Sequence, residues 1–134
     1  MKDDSIRRRD AAPTGRADGR KRTGKLGEDA ACAHLEAAGL TIVERNWRCR
    51  IGEIDIIASR EGILHFIEVR TRRAGGRFGT AAESVDRRKQ SKVTAAAQFY
   101  LRQAGVIQCR FDVVAITLDS QDAIVELNYL ESAF

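Results

Sequence analysis

The spacing of apolar and polar residues in the first half of the chain predicts one helix followed by three strands. Residues Gly24–Gly39 are rich in Ala, Leu and Glu and end on glycine, which is typical of a helix with a glycine stop. Three runs rich in Ile and Val follow and predict strands at Thr41–Trp47, Ile51–Ala58 and Ile63–Arg70. Because only short polar or glycine-containing turns separate these runs, we expect an antiparallel meander.

The second half of the chain predicts one more helix and two more strands. Ser84 is a candidate N-cap for a helix that runs from Val85 to about Gln103. Two further apolar runs, Arg110–Leu118 and Ala123–Leu130, are separated by the turn-prone residues 119–122. The order αβββαββ predicts an α/β fold in which helices flank a mixed central sheet.

Length and composition indicate one globular domain at residues 24–134 and a flexible basic tail at residues 1–23. No apolar stretch approaches the roughly 18 residues that a membrane span needs, and no apolar run follows the N-terminal arginines as in a secretory signal. We therefore expect a cytoplasmic protein that does not contact a membrane. The three cysteines contain no CxxC pair, which argues against a disulfide scaffold or a zinc ribbon.

The net charge is +4, but the charged residues are unevenly distributed along the chain. Residues 26–69 hold eight acidic and four basic side chains, whereas residues 70–92 hold eight basic and two acidic ones. An acidic segment beside a basic one suggests carboxylates next to a surface that attracts polyanions. The basic side chains that we expect to contact a nucleic-acid backbone are Arg72, Arg73, Arg77, Arg87, Arg88, Lys89 and Lys92.

Two acidic residues interrupt the apolar pattern of the second predicted strand. Strand alternation predicts that Glu53 and Asp55 share one face, while Ile54 and Ile56 lie on the other. Acidic side chains inside a strand are unfavourable unless something compensates their charge. Ion pairs on an exposed sheet face offer one compensation, with partners among Arg45, Arg48 and Arg70.

A divalent cation offers the other compensation. Glu68 and Arg70 share a face of the third predicted strand, and pairing of the two strands would bring Asp55 close to Glu68. Repulsion between these carboxylates would be relieved by Mg²⁺, which takes one or two carboxylates plus water and substrate phosphate. Glu28, on the helical face that also carries apolar residues, would add a third oxygen ligand directly or through water.

Five short motifs occur together in this chain: Gly27-Glu28, Arg45-Asn46, Gly52-Glu53-Ile54-Asp55, Glu68-Val69-Arg70, and Lys89-Gln90 in the second helix. Over about residues 24–131 the chain resembles the YraN-like family of uncharacterised bacterial proteins. More distantly it resembles the PD-(D/E)xK, or restriction-endonuclease-like, superfamily and its Holliday-junction-resolvase branch. The resemblance implies a restriction-endonuclease-like core.

The resemblance also implies metal-dependent hydrolysis of a phosphodiester, with Mg²⁺ or Mn²⁺ as the cofactor. Asp55 and Glu68 would be the metal-binding acids, Glu28 the auxiliary acid, and the backbone carbonyl of Val69 a further ligand. A catalytic set would then comprise Asp55, Glu68, Arg70, Lys89 and Gln90.

One position departs from the superfamily pattern, because Arg70 stands where the motif has lysine. Arginine stays charged and cannot accept a proton, although it can orient a water or bind phosphate. We expect Lys89 to replace the missing lysine by reaching the carboxylates from the start of the second helix. The alternative places Lys89 in solvent at a helix N-terminus.

Three functions are compatible with these residues. The first is a metal-dependent endonuclease that binds and cleaves structured or branched DNA, and the second is a nucleic-acid-binding module that has lost turnover. The third is a protein-interaction scaffold that uses the acidic C-terminal strands. A homodimer is compatible with the first, since resolvases pair to act on two strands.

Overall fold

A computed structural model describes residues 16–75, 86–105 and 108–134 of the chain. Its elements follow the predicted order and are α1 (Arg16–Ala37), β1 (Thr41–Arg48), β2 (Glu53–Arg60), β3 (Ile63–Arg73), α2 (Arg87–Ala104), β4 (Cys109–Leu118) and β5 (Ile124–Leu130). The strands form one sheet in the order β1-β2-β3-β4-β5. Neighbouring strands are antiparallel except β3 and β4, which are parallel. The predicted α/β fold with a mixed sheet and the predicted meander are confirmed.

The two helices cover opposite faces of the sheet. On one face, α1 packs through Leu35 against a cluster that includes Ile56, Ile67 and Val114. On the other face, α2 packs through Val93, Ala96 and Ala97 against Ile57, Leu64 and Phe66. Burying apolar side chains on both faces is what stabilises a layered α/β fold. No helix within the described residues is long and apolar enough to cross a membrane.

The first helix is longer than the sequence pattern predicts. It begins at Arg16, so residues 16–23 are helical rather than part of a flexible tail. Tertiary contacts account for the extension, because Arg22 pairs with Asp122 at 3.0 Å and the Arg73 guanidinium donates to Oγ1 of Thr23 at 3.1 Å. Residues 1–15 lie outside the described part of the chain.

The second helix begins two residues later than predicted. Its N-cap is Asp86, whose side chain accepts a hydrogen bond from the backbone N–H of Lys89 at 2.9 Å. Aspartate is a favourable N-cap because its carboxylate satisfies an amide that has no partner inside the helix. The predicted cap, Ser84, lies outside the described residues.

The prediction that Ile54 and Ile56 share a face is wrong. Ile54 packs in the cluster beneath α2, whereas Ile56 packs in the cluster beneath α1. The alternation breaks between the pairs Arg45↔Ile56 and Trp47↔Ile54, where β1 carries Asn46 at a φ of 53°. In β1 this left-handed residue changes the direction in which the following side chains point, and β2 changes faces at Asp55, which lies opposite.

Candidate active site

Asp55 lies where the pairing of β2 with β3 stops. The last backbone pair of these strands is Ile56↔Ile67, and Asp55 comes one residue beyond it. There the backbone N–H of Val69 donates to Oδ2 of Asp55 at 2.8 Å, so a side chain replaces the next ladder hydrogen bond. The carboxylate is thereby fixed between the two strands.

The pKa of Asp55 is raised from its ordinary value of 3.8 to about 7. Burial is the main cause, followed by the negative charge of Glu68, and Glu28 acts in the same direction. The hydrogen bond from Val69 and the charge of Lys89 lower the pKa, but they do not offset the other causes. Burial and the neighbouring acids therefore both favour the protonated form of Asp55.

Glu68 and Lys89 form the centre of the site. The Glu68 side chain is only 3% exposed, and Nζ of Lys89 lies 2.9 Å from its Oε2. Nη1 of Arg70, on the same strand face, lies 3.9 Å from that oxygen. Lys89 therefore contacts one of the two predicted carboxylates, Glu68, while 43% of its side chain remains exposed; its catalytic role stays a prediction. The chain thus brings a lysine from α2 to the acids while arginine holds the motif position.

Glu28 reaches the same region from α1 and is held there by β1. The side-chain amide of Asn46 donates to Oε1 of Glu28 at 3.2 Å. Gly27 permits this approach, because a Cβ at that position would lie 1.9 Å from Oγ1 of Thr71 on β3. Asn46 had no predicted role beyond its place in the Arg45-Asn46 motif, although an asparagine inside a strand is unfavourable by propensity, and this is the signal that could have found it.

The ion-pair interpretation holds for one of the two acids in β2. Glu53 is exposed and pairs with Arg48 at 3.0 Å. Arg45, another predicted partner, instead donates to Oδ1 of Asp29 on α1 at 2.7 Å. The two acids of β2 therefore differ, since Glu53 makes an exposed ion pair and Asp55 accepts a backbone hydrogen bond in a buried site.

The donor chemistry of the site suits a hard divalent cation. Asp55 and Glu68 supply carboxylate oxygens, and Mg²⁺ is commonly held by one or two carboxylates with water completing its shell. Within residues 16–75, 86–105 and 108–134, no three His, Cys, Asp or Glu side chains form a group that could hold a metal ion. Asp55 and Glu68 therefore form the candidate pair, with Glu28 close enough to influence the charge of Asp55.

The predicted nucleic-acid-binding side chains separate into two groups. Arg73 pairs with Asp122 at 2.6 Å and also donates to the carbonyl oxygen of Asp119 at 2.7 Å, so its guanidinium stabilises the fold. Arg87, Arg88 and Lys92 are exposed in the first turns of α2, the same turns that present Lys89 to Glu68. Arg72 is half-buried on β3 and has partners, and Arg77 lies outside the described residues.

A surface groove with a volume of about 560 Å³ runs along α2 from the same turns. It is lined by Arg87, Gln90 and further α2 side chains, and it extends to Phe134. None of the lining side chains is acidic.

A second buried acid, Asp112, belongs to a different environment. Nδ1 of His65 and the hydroxyl of Tyr129 both lie 2.6 Å from its Oδ2, and the backbone N–H of Ser132 donates to its Oδ1 at 2.8 Å. Burial and this hydrogen bond raise the pKa of Tyr129. Because its carboxylate has three partners, Asp112 links β3, β4 and β5 and satisfies the rule that buried charges are hydrogen-bonded.

Comparison with known proteins places these residues in a family. The model of the uncharacterised protein family UPF0102 matches residues 27–116. The chain belongs to this family. The match confirms the resemblance to YraN-like proteins, and it includes every residue of the site described above, from Glu28 on α1 to Lys89 on α2.

UPF0102 proteins from distant bacteria align with most of this chain. The protein of Moorella thermoacetica is 46% identical over 117 residues, which cover 86% of this chain and 97% of the relative. That of Nitrosococcus oceani is 46% identical over 114 residues, covering 83% and 90%, respectively. That of Stutzerimonas stutzeri is 44% identical over 115 residues, covering 84% and 93%. The described fold therefore extends over nearly the full length of these relatives.

Proposed function

We propose that this UPF0102 protein is a metal-dependent endonuclease that binds structured or branched DNA and hydrolyses its phosphodiester backbone. The observation that supports the proposal is the convergence of Asp55 and Glu68, two carboxylates from neighbouring strands, beside the ammonium of Lys89. Two repelling carboxylates, of which Glu68 is buried and Asp55 half-buried, are costly for a fold, and such groups cluster at functional sites.

The proposed cofactor is Mg²⁺ or Mn²⁺ held by Asp55 and Glu68. When bound, such an ion neutralises phosphate charge and makes a coordinated water nucleophilic near neutral pH. Cation binding requires the deprotonated carboxylate. Because the pKa of Asp55 is about 7, protons compete with the cation for this carboxylate near neutral pH. Cation affinity should therefore rise as the pH rises through 7.

Two cationic side chains have distinct roles in this proposal. Lys89, which contacts Glu68 at 2.9 Å, would orient the attacking water and stabilise charge that develops in the transition state. Because arginine cannot act as a proton acceptor in proteins, Arg70 would hold the substrate phosphate. Gln90, the next residue of α2, would support Lys89 at the entrance of the groove.

The exposed cations of α2 supply a surface for the nucleic-acid backbone. Arg87, Arg88 and Lys92 lie on the turns that carry Lys89, and the groove that begins there has no acidic lining. Contacts of this kind recognise phosphates and shape rather than base sequence. We therefore expect selection of substrate structure, such as a flap or a four-way junction, over selection of a base sequence.

One observation favours a second candidate function, a nucleic-acid-binding module without turnover. In the described part of the chain Lys89 contacts Glu68, and no third acidic or imidazole ligand completes a metal-holding group with the two carboxylates. An ammonium that neutralises Glu68, together with arginine at the motif position, would allow polyanion binding without a metal. Cleavage and binding therefore have to be measured separately.

The experiment compares cleavage and binding on the full chain with duplex, single-stranded, flap and four-way-junction DNA. Reactions contain Mg²⁺, Mn²⁺ or a chelator, and the variants are Asp55→Asn and Glu68→Gln. Glu53→Gln is the matched control, because Glu53 lies on the same strand as Asp55 but is exposed and paired with Arg48. If the protein is an endonuclease, cleavage should depend on the metal, should be lost in Asp55→Asn and Glu68→Gln, and should be retained in Glu53→Gln.

Other outcomes would contradict the proposed endonuclease activity. Binding without cleavage in either metal, unchanged by the two variants, would select the binding module. A chain that neither binds nor cleaves any of these substrates would overturn both functions. If position 70 limits the rate, Arg70→Lys should increase cleavage, whereas an unchanged rate would assign Arg70 to substrate binding.

A further inference from the structure

Asn46 has a backbone conformation that a strand residue rarely adopts. Its φ is 53°, inside the left-handed region, although the residues on either side form β1–β2 pairs with Ile56 and Ile54. A residue other than glycine in this region carries a conformational cost, which is smallest for asparagine and aspartate. Such strain is maintained only when the surrounding structure fixes it, and it concentrates at functional sites.

The left-handed residue changes which face of the sheet its neighbours occupy. Arg45 points to α1, where it contacts Asp29, whereas Trp47 packs beneath α2 against Tyr100 with ring centroids 5.1 Å apart. In a regular strand, residues two apart lie on the same face. This switch is confined to one residue, Asn46.

The same residue faces the carboxylate site from the neighbouring strand. Asn46 and Asp55 are the two residues left between the pairs Arg45↔Ile56 and Trp47↔Ile54. The side-chain amide of Asn46 donates to Oε1 of Glu28 at 3.2 Å, while Nη2 of Arg45 lies 4.0 Å from that oxygen. The left-handed residue of β1 therefore places its side-chain amide against Glu28 of α1. This contact lies on the side of β2 where Asp55 lies one residue beyond the last pair with β3.

We propose that Asn46 is a positioning residue of the carboxylate site, which fixes Glu28 beside Asp55 through its side-chain amide and its left-handed backbone. This proposal rests on the proposed function for the role of the site, but the contact itself exists without a metal. The Glu28 side chain is 22% exposed, and Asn46 donates a hydrogen bond to it at 3.2 Å, while Arg45 lies farther away at 4.0 Å. Partners that orient ligand carboxylates affect metal affinity almost as strongly as the ligands do.

The backbone part of the proposal is tested by the order of stability of two variants. Asn46→Gly and Asn46→Ala both remove the amide, but only glycine adopts the left-handed conformation without cost. The glycine variant should therefore unfold about 3–5 °C above the alanine variant. Asn128 on β5 is the control position, where the alanine variant should be the more stable of the two. An alanine variant at 46 that equals or exceeds the glycine variant would overturn this part.

The side-chain part is tested by nuclear magnetic resonance without a metal. The side-chain NH₂ signals of Asn46 should shift on Glu28→Ala, and those of Asn128, which donates to Glu126, should not. Unshifted Asn46 signals would overturn the proposed contact.

The functional part is tested by calorimetric titration with Mn²⁺. Asn46→Gly should weaken Mn²⁺ binding about 10-fold. The loss of Mn²⁺ affinity caused by Glu28→Gln should be smaller in the Asn46→Gly variant than in the natural chain, because the two residues act together. Equal Mn²⁺ affinity in the glycine variant and the natural chain would overturn the positioning role. A natural chain that binds no Mn²⁺, while the first two tests succeed, would instead overturn the proposed function and leave Asn46 as the anchor of Glu28.

Discussion

Replacing Asp55 with asparagine should stabilise the fold above neutral pH. The pKa of Asp55 is about 7 in the folded chain and 3.8 in an exposed carboxyl group, so between these values the folded state binds the proton more tightly than the unfolded state does. The natural chain therefore loses stability as the pH rises from about 4 to 7. The difference of about three pKa units, at about 1.4 kcal/mol each, lowers the free energy of unfolding by about 4 kcal/mol at pH 8.

The gain in the variant should be about 2–4 kcal/mol at pH 8. Asparagine keeps an oxygen that accepts the hydrogen bond from Val69, but a neutral acceptor is weaker than a carboxylate, which offsets part of the gain. Near pH 4 the natural carboxyl group is largely protonated in the folded state, so the difference between the two chains should nearly vanish there.

Urea unfolding at several pH values measures this difference without a divalent cation. Trp47 is the only tryptophan of the chain and packs against Tyr100, so its fluorescence follows the loss of the core. Asp112→Asn is the control, because that fully buried aspartate has three hydrogen-bond partners and its replacement should destabilise the fold by about 1–3 kcal/mol. An Asp55→Asn variant that is destabilised at pH 8, or whose effect does not change with pH, would show that ionisation of Asp55 does not destabilise the fold.

Further predictions follow from the same geometry. Gly27→Ala should destabilise the fold by about 1–3 kcal/mol in thermal unfolding, since its Cβ would lie 1.9 Å from the hydroxyl of Thr71; unchanged unfolding would contradict the close approach of α1 to β3. Lys89→Met should lower the cleavage rate at least about 10-fold with saturating DNA, whereas Arg88→Met, one residue away but exposed, should chiefly weaken binding. DNA affinity should fall steeply with added salt, and removing the charges of Arg88 and Lys92 together should reduce the slope of log affinity against log salt by about 2; salt-insensitive binding would exclude backbone recognition.

The order and nature of the elements could be predicted because they depend on local periodicity. The runs of Ile and Val predicted all five strands to within a few residues, and adjacency of the second and third strands predicted that Asp55 approaches Glu68. These inferences require only regular geometry. The reach of Lys89 was one of two alternatives that the sequence left open, because helical periodicity alone does not decide whether a first-turn residue faces the sheet or solvent.

The remaining features depend on irregular geometry or on contacts distant in sequence. Strand alternation placed Ile54 and Ile56 on one face, but β2 changes faces at Asp55, across from the left-handed Asn46 of β1, and no periodic rule contains such a break. The hydrogen bonds that join Asp112 to His65 and Tyr129 connect three strands, and each of these residues alone resembles an ordinary strand position. Long-range polar contacts of this kind have no local sequence signal.

The central claim is that Asp55 and Glu68 together hold one divalent cation. Electron paramagnetic resonance of Mn²⁺ titrated into the protein counts bound ions directly, because bound and free Mn²⁺ give different signals. If Asp55 and Glu68 hold the cation, one tightly bound ion per chain should be found in the natural protein and in Glu53→Gln, and none in Asp55→Asn or Glu68→Gln. Absence of a bound ion in the natural protein, or an ion that survives both substitutions, would contradict it.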